Sequence, residues 1–272
     1  MELKNLKLGM IGGGAMAENL VRGMVQAQLI PAENIVVSDI KQERLTLLRE
    51  QFGVKTMLDN VELVIKTDVI ILAVKPQNMR LLLEEIRQAV TEHKLIISIA
   101  AGIQTKTIAE GLGGKGRIIR CMPNIAAKTL ASASALCTGS GATAQDMTLA
   151  KKLFDAIGIT VVVSEDLMDA VTGLSGSGPA FVFVVIETLA DAGVRAGLQR
   201  SVALTLAAQT CLGAARLVLT SHEHPAVLKD QVASPGGTTI AGLAALEQAG
   251  LRNALLQAVA AAVTRSQELG RS

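Results

Sequence analysis

The stretch Leu6-Lys7-Leu8-Gly9-Met10-Ile11-Gly12-Gly13-Gly14-Ala15-Met16-Ala17 decides the fold. Residues 6–11 read as a short buried strand, and the apolar spacing from Ala15 to about Gln28 reads as a helix. Between them lies the pattern Gly12-x-Gly14-x-x-Ala17. Gly12 permits a tight turn, Gly14 lets backbone approach a pyrophosphate, and Ala17 is small enough for close helix–strand packing. The helix start then offers unpaired N–H groups and a positive dipole end to phosphate. An ordinary glycine-rich turn looks similar in isolation. The flanking strand and helix, with a second strand following, point instead to a dinucleotide.

Working outward, residues 35–38, 69–74, 95–99, 118–121 and 159–163 also read as strands. Helical patterns lie between them at about 15–28, 42–52, 79–90, 105–111 and 144–157. Strands alternating with helices predict a parallel sheet covered on both faces. After Glu165 the pattern changes to alanine-rich apolar stretches of helical length, broken at 191–197, 222–225 and 234–237. The fold expected is α/β: a Rossmann-type parallel-sheet domain over residues 1–164, then an all-α domain over 165–272. The apolar surface of that second part is too large for a lone helical domain, so one face is expected to bury against another subunit.

Composition excludes several classes. The chain has 272 residues, half of them hydrophobic, and a net charge of +2, so it is globular without a nucleic-acid-binding charge. It has no Trp or Tyr and four Phe, which leaves no platform for stacking bases. Cys121, Cys137 and Cys211 are odd in number, widely spaced and in apolar surroundings, which fits buried thiols in a reducing compartment. Residues 201–220 are apolar, but Gln209 and Arg216 interrupt them before a membrane-spanning length is reached. The first residues lack the pattern of a signal peptide. The expected protein is soluble and cytoplasmic, with no nucleic acid or membrane partner. No metal site is expected either, since His222-Glu223-His224 lacks further ligand spacing.

The second strand ends at Ser38-Asp39. An acid there can accept both ribose hydroxyls and so favours NADH, whereas Lys41 and Arg44 can neutralise a 2′-phosphate. Either cofactor, NADPH or NADH, fits this reading. Ala73-Val74-Lys75-Pro76 and Ile99-Ala100-Ala101 end two further strands, where an open parallel sheet receives its ligands. In the second half, Asp169-Ala-Val-Thr-Gly-Leu-Ser-Gly-Ser-Gly-Pro-Ala180 and Ser234-Pro235-Gly236-Gly237-Thr238-Thr239 place glycines and hydroxyls before apolar helices. Both serve as helix caps in the plainest reading. The second also presents backbone N–H groups and three hydroxyls suited to a carboxylate.

Gly12-Gly-Gly-Ala-Met-Ala17, Ala73-Val-Lys-Pro-Gln77, Arg120-Cys-Met-Pro-Asn124, the 169–180 string and Ser234-Pro-Gly-Gly-Thr-Thr-Ile-Ala-Gly242 occur in this order. Together they resemble the pyrroline-5-carboxylate reductases over essentially the whole chain. The last two strings are specific to that family; the first is shared by many dinucleotide enzymes. The resemblance implies NAD(P)H-dependent reduction of L-1-pyrroline-5-carboxylate to L-proline, the last step of proline biosynthesis. It implies a helical domain that interlocks with its twofold mate in a homodimer, often assembled into a decamer, with each active site shared between subunits. Ile11, Gly12, Gly13, Gly14, Ala15 and Met16 then correspond to the pyrophosphate loop, Ser38 and Asp39 to the ribose side, and Asn60 to the adenosine end. Ala73, Val74, Lys75, Pro76, Ile99, Ala100 and Ala101 correspond to walls around the dinucleotide. Glu165, Ser234, Gly237, Thr238 and Thr239 line the substrate pocket, with Thr239 as the catalytic residue that orients the ring nitrogen. The chain departs from the pattern at Ile125-Ala126, where Thr-Pro is usual, at Phe181 in place of Tyr, and in lacking a proline near Gln199. A reductase for another small imine or hydroxy acid shares the two-domain plan. A dinucleotide sensor on the same scaffold has no use for the second, carboxylate-binding turn.

Overall fold

The computed structural model describes residues 3–271. Apolar β-branched runs form the centre of one eight-stranded sheet. In chain order the elements are β1 (Leu8–Ile11), α1 (Ala15–Gln26), β2 (Ile35–Ser38), α2 (Gln42–Phe52), β3 (Lys55–Met57), α3 (Asn60–Lys66), β4 (Val69–Leu72), α4 (Met79–Ile86) and β5 (Leu95–Ser98). Then come α5 (Thr105–Gly111), β6 (Arg117–Met122), β7 (Ser132–Thr138), α6 (Ala144–Asp155), β8 (Gly158–Val162) and the short α7 (Met168–Val171). The strands lie in the order β3-β2-β1-β4-β5-β6-β7-β8, so the chain reverses direction across the sheet between β3 and β4. That reversal opens a crevice at the carboxyl ends of β1 and β4, where doubly wound sheets bind nucleotides.

Period-two alternation sorts the strand residues between two layers. Met10, Ile71, Ile97 and Ile119 pack under Leu20 and Met24 of α1 and Phe154 of α6. Ile70, Leu72, Ile96 and Ile118 pack on the other face under Leu63, Leu83 and Ile108 of α3–α5. The alternation of elements predicts a parallel sheet, but one pair departs from it. β7 runs antiparallel to β6, with Arg120 opposite Cys137 and Cys121 opposite Leu136. The return is possible because residues 125–129 form a tight helical turn that reverses the chain. β8 then pairs parallel with β7, starting with Gly158 beside Ser132. Cys121 and Cys137 are buried, on opposite faces of the sheet, and Cys211 is half-buried.

Five helices follow: α8 (Gly178–Arg195), α9 (Arg200–Ser221), α10 (Pro225–Val232), α11 (Thr238–Gln248) and α12 (Leu251–Arg271). The chain forms two compact units, one of residues 178–261 and one containing everything else described. The change of sequence pattern at 164/165 thus precedes the packing boundary by the short helical segments of residues 165–177. The last turns of α12, from Ala262, belong to the sheet unit.

Within the helical unit, α8 and α9 meet through small residues. Ala190, Ala203 and Ala207 are its buried apolar residues, and a Cβ at Gly193 would stand 3.0 Å from that of Ala203. Leu204, Leu206, Leu212, Leu217, Leu219 and Phe183 remain exposed on the single chain. Three buried alanines cannot hold five helices together, so this apolar surface needs cover. Residues 165–195 and 200–221 are also long and apolar enough to cross a bilayer, by length and composition only.

Candidate active site

Gly12 is pinned between two strand ends. Its N–H donates to the Ser38 carbonyl at 2.8 Å, while the Ala73 N–H donates to the Ile11 carbonyl at 2.8 Å. Its φ of +103° lies in the region glycine alone tolerates comfortably. Gly14 starts α1, and a Cβ there would meet no protein atom within 4 Å. The space above it is open, as a pyrophosphate resting on the helix start requires. Ala17 is fully buried against the sheet.

A cavity of about 470 Å³ extends from this loop. It brings together Ile11, Gly12, Gly14, Ala15, Ser38, Asp39, Asn60, Ala73, Val74 and Lys75. Asp39, Lys41, Glu43, Arg44 and Lys75 are its charged lining, with basic groups in the majority. Gly13 supports the loop from behind, and Met16 packs its side chain into the core. At the far end, Ser38 donates to the Asn60 carbonyl oxygen at 2.7 Å. The Asn60 amide in turn donates to Glu85 at 3.0 and 3.2 Å. Asn60 is thereby fixed at the first turn of α3.

Asp39 is already engaged inside the chain. One carboxylate oxygen accepts the Gly13 N–H at 2.7 Å and the other accepts the Lys41 N–H at 2.8 Å. Arg44 grips the same glycine from the opposite side, donating to the Gly13 carbonyl at 2.8 Å and to Glu18 at 2.7 Å. The loop after β2 therefore clamps the glycine-rich loop after β1. Asp39→Ser should raise the KM for NADH and NADPH alike by about three- to tenfold, the loss of one charge-assisted hydrogen bond. The efficiency ratio should also move toward NADPH as a negative charge leaves the carboxyl end of β2. Steady-state kinetics with each cofactor checks this; a shift in the ratio with both KM values unchanged would show that the clamp is not needed.

Pro76 and Ala101 do not face the first cavity. They line a second one of about 820 Å³ at the carboxyl ends of β4 and β5, with Gly102, Ile103, Thr172 and Ser177. The last turns of α12 supply its remaining wall through Ala262, Arg265, Ser266 and Leu269. Ile99 packs partly against one core layer and Ala100 is buried in the other.

Glu165 lies in a third, smaller cavity of about 310 Å³ beside Gly102. Its carboxylate accepts the Thr105 N–H at 2.7 Å and the Thr105 hydroxyl at 2.5 Å. The Arg120 guanidinium stands 3.6 Å away. Asp166 and Asp169 share the cavity, and Ser266 donates to Asp169 at 2.6 Å.

Ser234, Gly237, Thr238 and Thr239 are brought together at the start of α11. Gly236 adopts φ +66° and the Gly237 N–H returns to the Ser234 carbonyl at 3.1 Å. A Cβ on Gly237 would fall on the Ser234 hydroxyl, so a side chain here would turn that hydroxyl away. No side chain caps α11. Elsewhere hydroxyls are spent on backbone: Thr172, Ser175, Thr188, Thr205 and Thr220 each bond a carbonyl one turn back. Ser234 and Thr238 are exposed and Thr239 half-buried, all near a helix N-terminus that welcomes negative charge.

Two family descriptions match this chain. Pyrroline-5-carboxylate reductase dimerisation matches residues 165–269, and NADP oxidoreductase, coenzyme F420-dependent, matches residues 7–102. The pyrroline-5-carboxylate reductase of Methanosarcina acetivorans is 47% identical over 269 residues, covering 99% of this chain and 100% of that protein. The chain belongs to the pyrroline-5-carboxylate reductase family. The solved reductase of Coxiella burnetii superposes with a TM-score of 0.94 at 36% identity, over 98% of this chain and 99% of that one. The Plasmodium falciparum pyrroline carboxylate reductase, solved with NADP bound, gives 0.87 at 32% identity, over 98% and 99%.

Set in a pyrroline-5-carboxylate reductase, two features escape a reading of the sequence. One is the Asp39–Gly13–Arg44 clamp, which joins residues far apart in sequence. The other is Arg120, a charged residue in the apolar run Ile118-Ile119-Arg120-Cys121. A charge amid a buried strand pattern was the signal that could have singled it out.

Proposed function

We infer that this chain reduces the cyclic imine of L-1-pyrroline-5-carboxylate to L-proline with NADPH or NADH. The observation that carries this is the free-hydroxyl turn at Ser234–Thr239, in a chain related to these reductases over its full length. The residues of the first cavity fit a dinucleotide: glycine loop, open space over Gly14, and a basic lining. Ile11–Met16 would hold the pyrophosphate, Ser38 and Asp39 the ribose side, Asn60 the adenosine end, and Ala73–Pro76 with Ile99–Ala101 the remaining walls. When bound, the reduced nicotinamide supplies the hydride that reaches the imine carbon.

The chain's own part is mainly positioning. The substrate carboxylate sits on the backbone N–H groups and hydroxyls of Ser234, Gly237 and Thr238, aiming the imine carbon at the cofactor. Glu165 is read as a further residue of the substrate site. Nitrogen gains electron density as the carbon is reduced and must carry a proton by then. Thr239 orients that proton; its hydroxyl is too weak an acid to be the sole source, and solvent protonates the imine beforehand. Residues 165–272 serve as the dimerisation and substrate-binding half. The uncovered apolar faces of α8 and α9 pair with a second copy in a homodimer that assembles further into a decamer, in the cytoplasm.

Assay of the purified protein with pyrroline-5-carboxylate and each reduced nicotinamide tests the activity. The variants of the turn test the roles. Ser234→Ala should mainly raise the substrate KM. Thr239→Ala should lower kcat more than it raises KM, by about ten- to a hundredfold for one oriented hydrogen bond of about 1–3 kcal/mol. Thr239→Ser should keep much of the rate. A Thr239→Ala enzyme with undiminished kcat, where chemistry limits the rate, would leave the turn as a carboxylate clamp only.

A further inference from the structure

Arg120 is 3% exposed, in the middle of a strand, and its Nη2 has no hydrogen-bond partner. Its neighbours in the sheet are Ser98 on β5 and Cys137 on β7. Burying a guanidinium is costly unless charge and hydrogen bonds compensate it. Asp146, also buried, shows what full compensation looks like: Arg117 donates to it at 2.7 Å and Thr143 closes on its other oxygen. Arg120 has no such bond. Its nearest carboxylate oxygen, on Glu165, lies at 3.6 Å, beyond hydrogen-bond reach.

What Arg120 does have is a wall of carboxylates. Glu165, Asp166 and Asp169 line the same cavity of about 310 Å³. Arg120 is the one basic side chain in that lining among the described residues. The bonds that orient Glu165 come from Thr105, which is neutral. The same charge pair is felt one strand away: burial pushes the Cys137 thiol up to about 11, Glu165 adds to the rise, and Arg120 opposes it.

We propose that Arg120 is a positioning residue for the reduction: its buried charge offsets the three carboxylates and keeps Glu165 seated on Thr105, facing the substrate pocket. This rests on the reading of Glu165 as a pocket residue given above. Because Arg120 acts through charge and not through a forked bond, lysine can stand in for it, which is untrue of bidentate arginines.

The test uses Arg120→Met, Arg120→Lys, Glu165→Gln and the Arg120→Met/Glu165→Gln double variant, each as the assembled enzyme. Arg120→Met should raise the KM for pyrroline-5-carboxylate about tenfold or more, with kcat and cofactor KM within about threefold. Arg120→Lys should recover most of that loss. In the Glu165→Gln background, Arg120→Met should add less than about twofold, because the group it positions is already gone. Equal effects of Arg120→Met with and without Glu165, or a Lys variant as impaired as Met, would overturn the proposal. Wild-type KM in Glu165→Gln would refute the reading of Glu165 itself. Should Arg120→Met fail to fold, the same comparison is made with Arg120→Lys alone and in the Glu165→Gln background. There a large KM defect independent of Glu165 overturns the proposal, and recovery sustains it.

Discussion

Gly12→Ala is expected to weaken binding of both NADH and NADPH more than a hundredfold while leaving the protein folded. A Cβ at this position would stand 2.7 Å from the Ala73 carbonyl oxygen and 2.9 Å from its carbon, both backbone atoms of a strand end. The φ of +103° adds strain of its own. The loop must therefore move, although its start is held by the Gly12–Ser38 and Ala73–Ile11 bonds. Relieving the clash at a cost of about 3 kcal/mol or more displaces the loop proposed to carry the pyrophosphate, and each 1.4 kcal/mol is tenfold in affinity. Gly14→Ala is the companion: it touches no protein atom, so it should leave melting unchanged and obstruct only the ligand. Cofactor titration by calorimetry and thermal melting separate the two. Affinity within threefold of wild type in Gly12→Ala would mean that the pyrophosphate does not lie on this loop.

A second glycine, on the far edge of the sheet, should matter more for folding than the glycine-rich loop. Gly158 opens β8 with φ +153°, and a Cβ there would fall within the backbone of Ser132. Ser132 is committed: its N–H donates to the Ile157 carbonyl at 2.8 Å, and its hydroxyl accepts the Asn124 N–H and meets Ser134. Neither strand can yield without opening the β7–β8 pairing, which forms the far edge of the sheet. Gly158→Ala should cost about 4 kcal/mol or more, enough to leave little folded protein at 37 °C. A denaturant midpoint close to the wild-type value would show that β8 can detach without loss of the core.

The central strands and most helices of the sheet unit were legible in the sequence because each carries a clear apolar period. Residues 35–38, 42–52 and 105–111 have the same bounds in sequence pattern and structure. β7 was not legible: Ser132-Ala-Ser-Ala is small and polar, and it is buried only because its serines bond each other and Asn124. β3 is a three-residue edge, and α3 is seven residues held by the Asp59 cap on Glu62, both too short for a period to show. Within the site, the glycine loop and the Ser234–Thr239 turn announced themselves by composition. Asp39 showed its position but not its use, since nothing local to residue 39 reveals that Gly13 will lie against it. Arg120 is the same case in reverse, conspicuous in the strand but meaningless until Glu165 and its acidic neighbours fold beside it.

The course of α12 changes what an end of this chain is. The helix starts in the helical unit and finishes against Gly102 and Asp169, with Ser266 buried at 5% exposure and a cavity wall built from its last turns. The backbone therefore crosses between the units twice, and residues 178–261 are an insert within the sheet unit rather than an appendage to it. A stop codon a dozen residues early would read, on a linear map, as trimming the dimerisation half. Its first casualty would instead be the cavity at the carboxyl ends of β4 and β5, and a helical half expressed alone would carry a helix end whose hydrogen-bonding mate had been left behind.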